Sequence, residues 1–469
     1  MPALLILLGG QLMASMDASI LVVATPSLRA DLHATGAEMQ LIVAVYTLAF
    51  GSLVVTGARL GDILGRRRAF MLGLAGFALA SLAGGLSPSP PVLILARAFQ
   101  GAAGALLTPQ VLSIIQIQFD GESRARALGA YSMILAAGVA TGQVLGGLLV
   151  GAHLVHGAWR PALLVNAPVG AGLLLAARRR LPKVAPGHGQ RLDIPGAGLL
   201  ALALLGLVVP LSFGRGAGWP AWIWPCFAGC AAALVAFVSH EERLRRRGGQ
   251  PLFDLAVLRL SGVAVGVGAV VLVMSAYAGF LLSLTLYLQG GLRFGPLHAG
   301  LIFSLYAAGF ATASLTWTWA RSSVRSRLPV LGPVVMGTAL LGVGAFAGAG
   351  GWPLGLVAPL LVAGGVGHAW SFSPLTSRLA DVVSPAQAPD LSGLILTSSL
   401  VGQVLGVASF VGVYLGSMQH GPGHALRVTT FWLAAALVVT AVAAQRALAR
   451  GRLAATPRTD PAGAACPER

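Results

Sequence analysis

The sequence predicts an all-α integral membrane protein of fourteen transmembrane helices: two six-helix bundles with two helices inserted between them. Three observations carry this. The 469 residues are 56% hydrophobic and 10% charged, with a mean hydropathy of +0.81, whereas a soluble chain carries about 25% charged residues. Fourteen apolar stretches each reach the roughly 20 residues that a helix needs to cross the hydrocarbon core. The pentapeptide GQVLG occurs twice, at 142–146 and 402–406, on the fifth and thirteenth of those stretches.

The spans are 3–26, 39–57, 69–87, 91–115, 127–151, 159–177, 195–213, 220–239, 261–287, 298–319, 329–349, 354–376, 391–416 and 425–448. The opening MPALLILLGGQLMASMDASILVVATPSL lacks a basic leader, and its apolar run is too long for the core of a signal peptide, so it reads as span 1. Loop charge sets the orientation. With a cytoplasmic N-terminus, twenty-five of the 31 basic residues lie in inner loops and the tail. Five lie outside (Arg29, Arg160, Arg215, Arg293, Arg427), and Arg97 is within a span. The positive-inside rule then places both termini in the cytoplasm. The net charge of +17 reflects topology, and nucleic acid is not expected as a partner. Thirty of the 31 cations are Arg, which with abundant Ala and Gly points to a high-GC bacterial genome and hence to the inner membrane.

The GQVLG copies are eight spans apart, so two spans must separate equivalent halves of six. Spans 7 and 8 fit, bounded by the Arg-rich linkers 178–193 and 240–259. The expected organisation is an N-terminal bundle over 1–180, a linker with two inserted helices over 181–259, a C-terminal bundle over 260–448 and a disordered cytoplasmic tail over 449–469. Spans 4 and 12 support the repeat, with Gly101, Gly104 and TP matching Gly364, Gly367 and SP. Gly138, Gly142 and Gly146 step by four along span 5, and Gln143 and Gly147 complete the motif. Small residues at that spacing let helix backbones approach closely, and the contact between the halves is the expected place for both copies.

Charge inside the membrane marks function, and the spans hold two such residues, Asp17 and Arg97. At 1.5 Å per residue they lie roughly 14 and 9 Å below the outer surface, within reach of a long Arg side chain. A protonatable carboxylate tuned by an arginine is the functional reading. His368, the histidine well inside a span, is a second candidate for proton or substrate coupling. Tyr46, Gln100, Tyr287, Gln289 and Trp370 are candidates to line a pathway. Cys226, Cys230 and Cys466 have no metal-ligand spacing, and no metal or catalytic site is expected.

Between spans 2 and 3, GARLGDILGRRRAF (57–70) places Asp62 beside Arg66, Arg67 and Arg68 in a short turn framed by Gly61 and Gly65. An ion-pair latch closing the cytoplasmic side would need an acid and cations at that place. This loop resembles the signature motif A of the major facilitator superfamily, with Gly57, Asp62, Gly65, Arg66 and Arg67 in its positions. MDASILVVATPSL (16–28) resembles the first-span signature of the fourteen-span drug:proton antiporters. RAFQGAAGA (97–105) is similar to their motif B, GVATGQVLGG (138–147) to their motif C with Gln143 where proline is usual, and WRPALLVNAPVG (159–170) to their sixth span. In the C-terminal half, ARSSVRSRLP has lost the acid and glycines of motif A.

The resemblance implies the major facilitator fold and a proton-coupled antiporter exporting amphipathic small molecules such as drugs or antibiotics. Its partners would be a small-molecule substrate, protons and membrane lipid. It would work as a monomer, without a cofactor beyond the proton gradient. A proton-coupled importer is the alternative within transport. A lipid-modifying membrane enzyme would need clustered His, Asp or Glu at a membrane face, a channel would need a polar ring or re-entrant loop, and no P-loop is present to use ATP.

Overall fold

The computed structural model describes residues 2–119, 121–152, 157–181, 193–214, 218–249, 251–252, 254–347, 352–383 and 387–455. Over these the chain is helical, without β-strands. Thirteen of the described helices are long and apolar enough to cross a membrane, and the 31-residue helix Gly121–Gly151 fills the remaining place among the fourteen expected.

In chain order the helices are α1 (Pro2–Leu32), α2 (Gly36–Leu64), α3 (Arg66–Gly85), α4 (Pro90–Gln118), α5 (Gly121–Gly151), α6 (Arg160–Leu164 and Asn166–Arg180) and the inserted α7 (Ile194–Phe213) and α8 (Ile223–Arg246). The second half has α9 (Val263–Leu286), α10 (Pro296–Thr316), α11 (Leu328–Ala347), α12 (Leu354–Val382), α13 (Ala388–Gly406) and α14 (Pro422–Ala455). Local sequence explains their ends. Thr35 and Glu38 form a capping box at the start of α2, with the Glu38 side chain accepting from the Thr35 N–H at 2.8 Å, which satisfies donors that the helix cannot. Gly65, with φ 86°, takes a left-handed conformation open to glycine, and α3 begins at the next residue. In α6 the break falls at Val165 because Pro168 has no N–H to offer the Leu164 carbonyl.

The packing repeats. In the first half α2 and α3 lie on α4, α1 lies on α5, and α6 closes against α1 and α3. In the second half α10 and α11 lie on α12, α9 lies on α13, and α14 closes against α9 and α11. Each of these contacts recurs eight helices later. The halves meet along two seams: α5 against α10, and α2 against α13. The inserted α7 pairs with α8 and lies across the second seam, touching both α2 and α13.

Three expectations need correction. The GQVLG helices do not present their glycines to the other half. A Cβ at Gly138 would strike Ser15, and one at Gly142 would strike Met16 O and Ser19 Oγ, both on α1. Gly402 and Gly406 press on Val271 O and Ser275 O of α9 in the same way. Gly146 is buried, and Gly147 faces the other half, at Leu297 of α10. These glycines are used where two backbones touch inside a bundle. Secondly, the match of spans 4 and 12 shifts by one residue. Gly101 abuts Tyr46 O and the Phe50 N–H, and Gly365, not Gly364, abuts Tyr306 O and the Phe310 N–H. Finally, α14 continues to Ala455, seven residues into the expected tail, because RALARGRLAA is built largely from strong helix formers; residues 456–469 lie outside the described ones.

Candidate functional site

Asp17 sits in the middle of α1 with no solvent exposure, and Arg97 of α4 is 2% exposed. Arg97 Nη1 donates to Asp17 Oδ2, forming a buried ion pair, and to Gln100 Oε1 at 2.7 Å. Its Nε donates to the Ile42 carbonyl of α2 at 3.4 Å, and its guanidinium lies 4.4 Å from the centre of the Tyr46 ring. Gln100, one turn after Arg97, donates through Nε2 to Asp17 Oδ1 at 2.7 Å and to Ser81 Oγ at 2.9 Å. Asn166 donates through Nδ2 to the same Asp17 oxygen at 2.8 Å and to Ser81 Oγ at 2.9 Å. Tyr46 Oη donates to Ala14 O at 3.3 Å.

Five helices of one half therefore converge on a single carboxylate. Asp17 accepts from one cation and two amides, which suits an ionised group that can only accept. Neither ion could stay buried without the other at tolerable cost. The break in α6 has a use here, since it delivers Asn166 at the start of a new helical segment.

Of the residues singled out by sequence, Asp17, Arg97, Gln100 and Tyr46 come together. Asn166 and Ser81 were missed. Asn166 carried a signal, being the single Asn of the whole sequence and lying inside a span; Ser81 carried none.

His368 belongs to a different cluster. It is 4% exposed, with ring centres of Tyr277 at 4.7 Å, Phe310 at 4.6 Å and Tyr306 at 6.1 Å. Neither ring nitrogen has a hydrogen-bond partner among the described residues. Tyr287 donates to Ala347 O at 2.9 Å and packs on Trp352, which makes it part of the second half's core. Gln289 is half-buried in the widened turn Tyr287–Gly291, and Trp370 packs beside Phe310 and Ala313. None of these three joins the Asp17 cluster.

The 57–68 segment, expected as a loop, is helical except at Gly65, and it makes its bonds differently from the expected latch. Asp62 pairs with Arg66 in the same segment at 2.5 Å, and Arg67 donates to Arg178 O of its own half at 2.7 Å. A Cβ at Gly57 would strike Ala105 O, and Gln110 Nε2 donates to Gly57 O at 2.8 Å, so that glycine fixes α2 on α4. The bond across the halves comes from Arg59. It reaches Asp390 Oδ1 in the first turn of α13 at 3.2 Å, and Leu252 O and Pro251 O at 2.8 and 3.1 Å. A short carboxylate four residues before Arg66 meets that cation first, whereas the longer Arg59 side chain spans the seam.

Over residues 7–407 the sequence matches the Major Facilitator Superfamily. The chain belongs to that superfamily. Among its relatives, a probable actinorhodin transporter of Streptomyces coelicolor is 35% identical over 423 residues, covering 88% of this chain and 72% of the relative. The cephamycin export protein CmcT of Amycolatopsis lactamdurans is 35% identical over 424 residues, covering 87% and 84%. The tetracenomycin C resistance and export protein of Streptomyces glaucescens is 31% identical over 437 residues, covering 89% and 76%. The fold is shared with a human organic anion transporter (TM-score 0.66, 16% identity, 95% of this chain and 99% of the other) and with the proton:xylose symporter XylE (TM-score 0.63, 13% identity, 94% of each). This major facilitator protein is thus a multi-pass membrane transporter of a small molecule and not an enzyme. The side chain of Gln143, the departure from motif C, lies outside the described residues.

Proposed function

We propose that this transporter exports amphipathic small molecules of the antibiotic or drug type across the cytoplasmic membrane of a bacterium, in exchange for protons. It works as a monomer with both termini in the cytoplasm and draws on the proton gradient alone. The buried Asp17–Arg97 pair carries the reading, and relatives named for export and resistance support its direction.

The donor count supports proton exchange. Ionised Asp17 accepts from Arg97, Gln100 and Asn166. A proton on the carboxyl replaces an acceptor with a donor opposite groups that themselves donate, so Arg97 has to let go. Its remaining partners, Gln100 Oε1, the Ile42 carbonyl and the Tyr46 face, are neutral, and the freed cation favours a state in which its surroundings are wetter. Protonation therefore changes the balance between states, which is how a ligand drives a conformational change. A cationic or hydrogen-bonding group on the substrate competes for the same carboxylate. Proton and substrate exclude one another, as exchange requires.

Inside-out vesicles with an acid interior test this. Export by exchange predicts that a cationic or neutral antibiotic accumulates inside and that the acid interior partly collapses on its addition. Uptake that needs no proton gradient, or movement of proton and substrate in the same direction, would overturn the proposal.

A further inference from the structure

The inserted hairpin carries a cluster that transport through the Asp17 site does not use. Asp193 caps the start of α7, its Oδ1 accepting from the Gly196 N–H at 3.0 Å, and the same oxygen lies 2.8 Å from His240 Nε2 near the end of α8. Glu241, next to His240, brings its carboxyl up to that of Asp193 across Gly196. Asp193 is 8% and Glu241 1% exposed. One ligand atom from each of the three residues lies within 4.8 Å of the other two, and no other such group of His, Cys, Asp and Glu occurs among the described residues.

Two features point to a ligand. Asp193 Oδ2 is buried without a hydrogen-bond partner. Gly196 keeps the space beside that oxygen clear, since a Cβ there would strike Asp193 Oδ2 and lie 2.5 Å from Glu241 Oε1. Two buried carboxyl groups face to face repel unless a proton or a cation lies between them. The neighbouring acid, Glu242, is occupied by Arg245, Arg246 and Arg259, while the only ion-pair partner of Asp193 among the described residues is His240.

We propose that Asp193, His240 and Glu241 bind a first-row divalent cation of the zinc class. Two carboxylate oxygens and one imidazole nitrogen are a borderline-hard set suited to such ions. Ligands about 2.1 Å from a tetrahedral zinc stand about 3.4 Å apart, a small closure from the present spacing, and water would complete the shell. The ion would tie the capping residue of α7 to the last turns of α8. It would thereby clamp the hairpin that covers the α2–α13 seam, at the end of the bundle where Arg59 meets Asp390.

The test uses the full-length protein in detergent with any affinity tag removed and with His420 and His424 replaced by Ala, because those rings lie 5.1 Å apart and could hold zinc themselves. After chelator treatment and equilibration with zinc, elemental analysis should find one ion per chain, with a rise in unfolding temperature. His240→Ala and Glu241→Gln should each lose both effects while remaining monodisperse, and Glu242→Gln should keep both. Zinc content no higher than in buffer, or content unchanged in His240→Ala and Glu241→Gln alike, overturns the proposal and leaves a shared proton between the carboxyls.

Discussion

In the first half Gly101 of α4 admits the backbone of α2 at Tyr46, and in the second half Gly365 of α12 admits the backbone of α10 at Tyr306 in the same manner. With the helices aligned on these contacts, Arg97 corresponds to Leu361, Gln100 to Gly364 and Gly104 to His368. The glycine contacts of α5 and α13 likewise align Asp17 with Leu272. Every charged or amide member drawn from α1 and α4 thus corresponds to an apolar or glycine counterpart, and the second half has an aromatic-caged histidine where the first has Gly104, with Phe50, Tyr46 and Phe77 packed close beside it. Backbone approach is a demand of the fold and recurs in both halves. The buried ion pair, which the proposed exchange requires, occurs in one.

The strongest way to break this comparison is to remove the acid. Asp17→Asn should abolish proton-coupled transport while the protein still inserts and stays monodisperse, whereas His368→Phe, which keeps a ring in the aromatic cage, should retain coupling. Transport driven by a pH gradient in proteoliposomes checks both. Loss of coupling in His368→Phe with coupling intact in Asp17→Asn would exchange the roles of the halves.

The shared backbone can be tested by equal injury. Gly101→Val and Gly365→Val each force side-chain atoms against a carbonyl, and overpacking of this kind costs about 1–3 kcal/mol or more. Both should lower the folded yield and the unfolding temperature by similar amounts, read by size exclusion and thermal scans. Damage confined to one half would mean that the contacts are not equivalent.

These features were not equally legible in the sequence. Span number and the Asp17–Arg97 pair could be read because hydropathy fixes crossings and because two charges within apolar stretches stand out. The partner of a face could not. Gly142 shows a small-residue stripe in sequence, but only packing decides that it meets Met16 rather than the other half. Asp62 and Arg59 lie three residues apart on the last turns of α2, and which of them crosses the seam depends on side-chain length and on Asp390, an acid 331 positions from Arg59 that nothing local connects to either.

That seam bond gives a smaller prediction. Arg59→Gln and Asp390→Asn should each shift transport rates by about two- to five-fold, the effect of an ion pair worth about 0.5–1 kcal/mol, and the double variant should do no more than either one. Additive effects in this cycle would show that the pair does not act as a unit. Asp62→Asn, whose partner is within its own segment, should leave substrate affinity within a few-fold and change turnover less than Arg59→Gln does. A larger turnover effect would return the latch to Asp62.

If Asp17 is the coupling acid, as proposed, one acid in one half predicts one proton per substrate. Counting protons against substrate in proteoliposomes, with the membrane potential clamped by a potassium ionophore, tests the account most directly. A monovalent cation should then exchange electroneutrally and ignore the potential at zero pH gradient. A neutral substrate should move one charge per cycle and gain ~2.3 kcal/mol per 100 mV, enough for a roughly fifty-fold gradient. Two protons per substrate, or strong voltage dependence for the monovalent cation, would contradict a single coupling acid at Asp17.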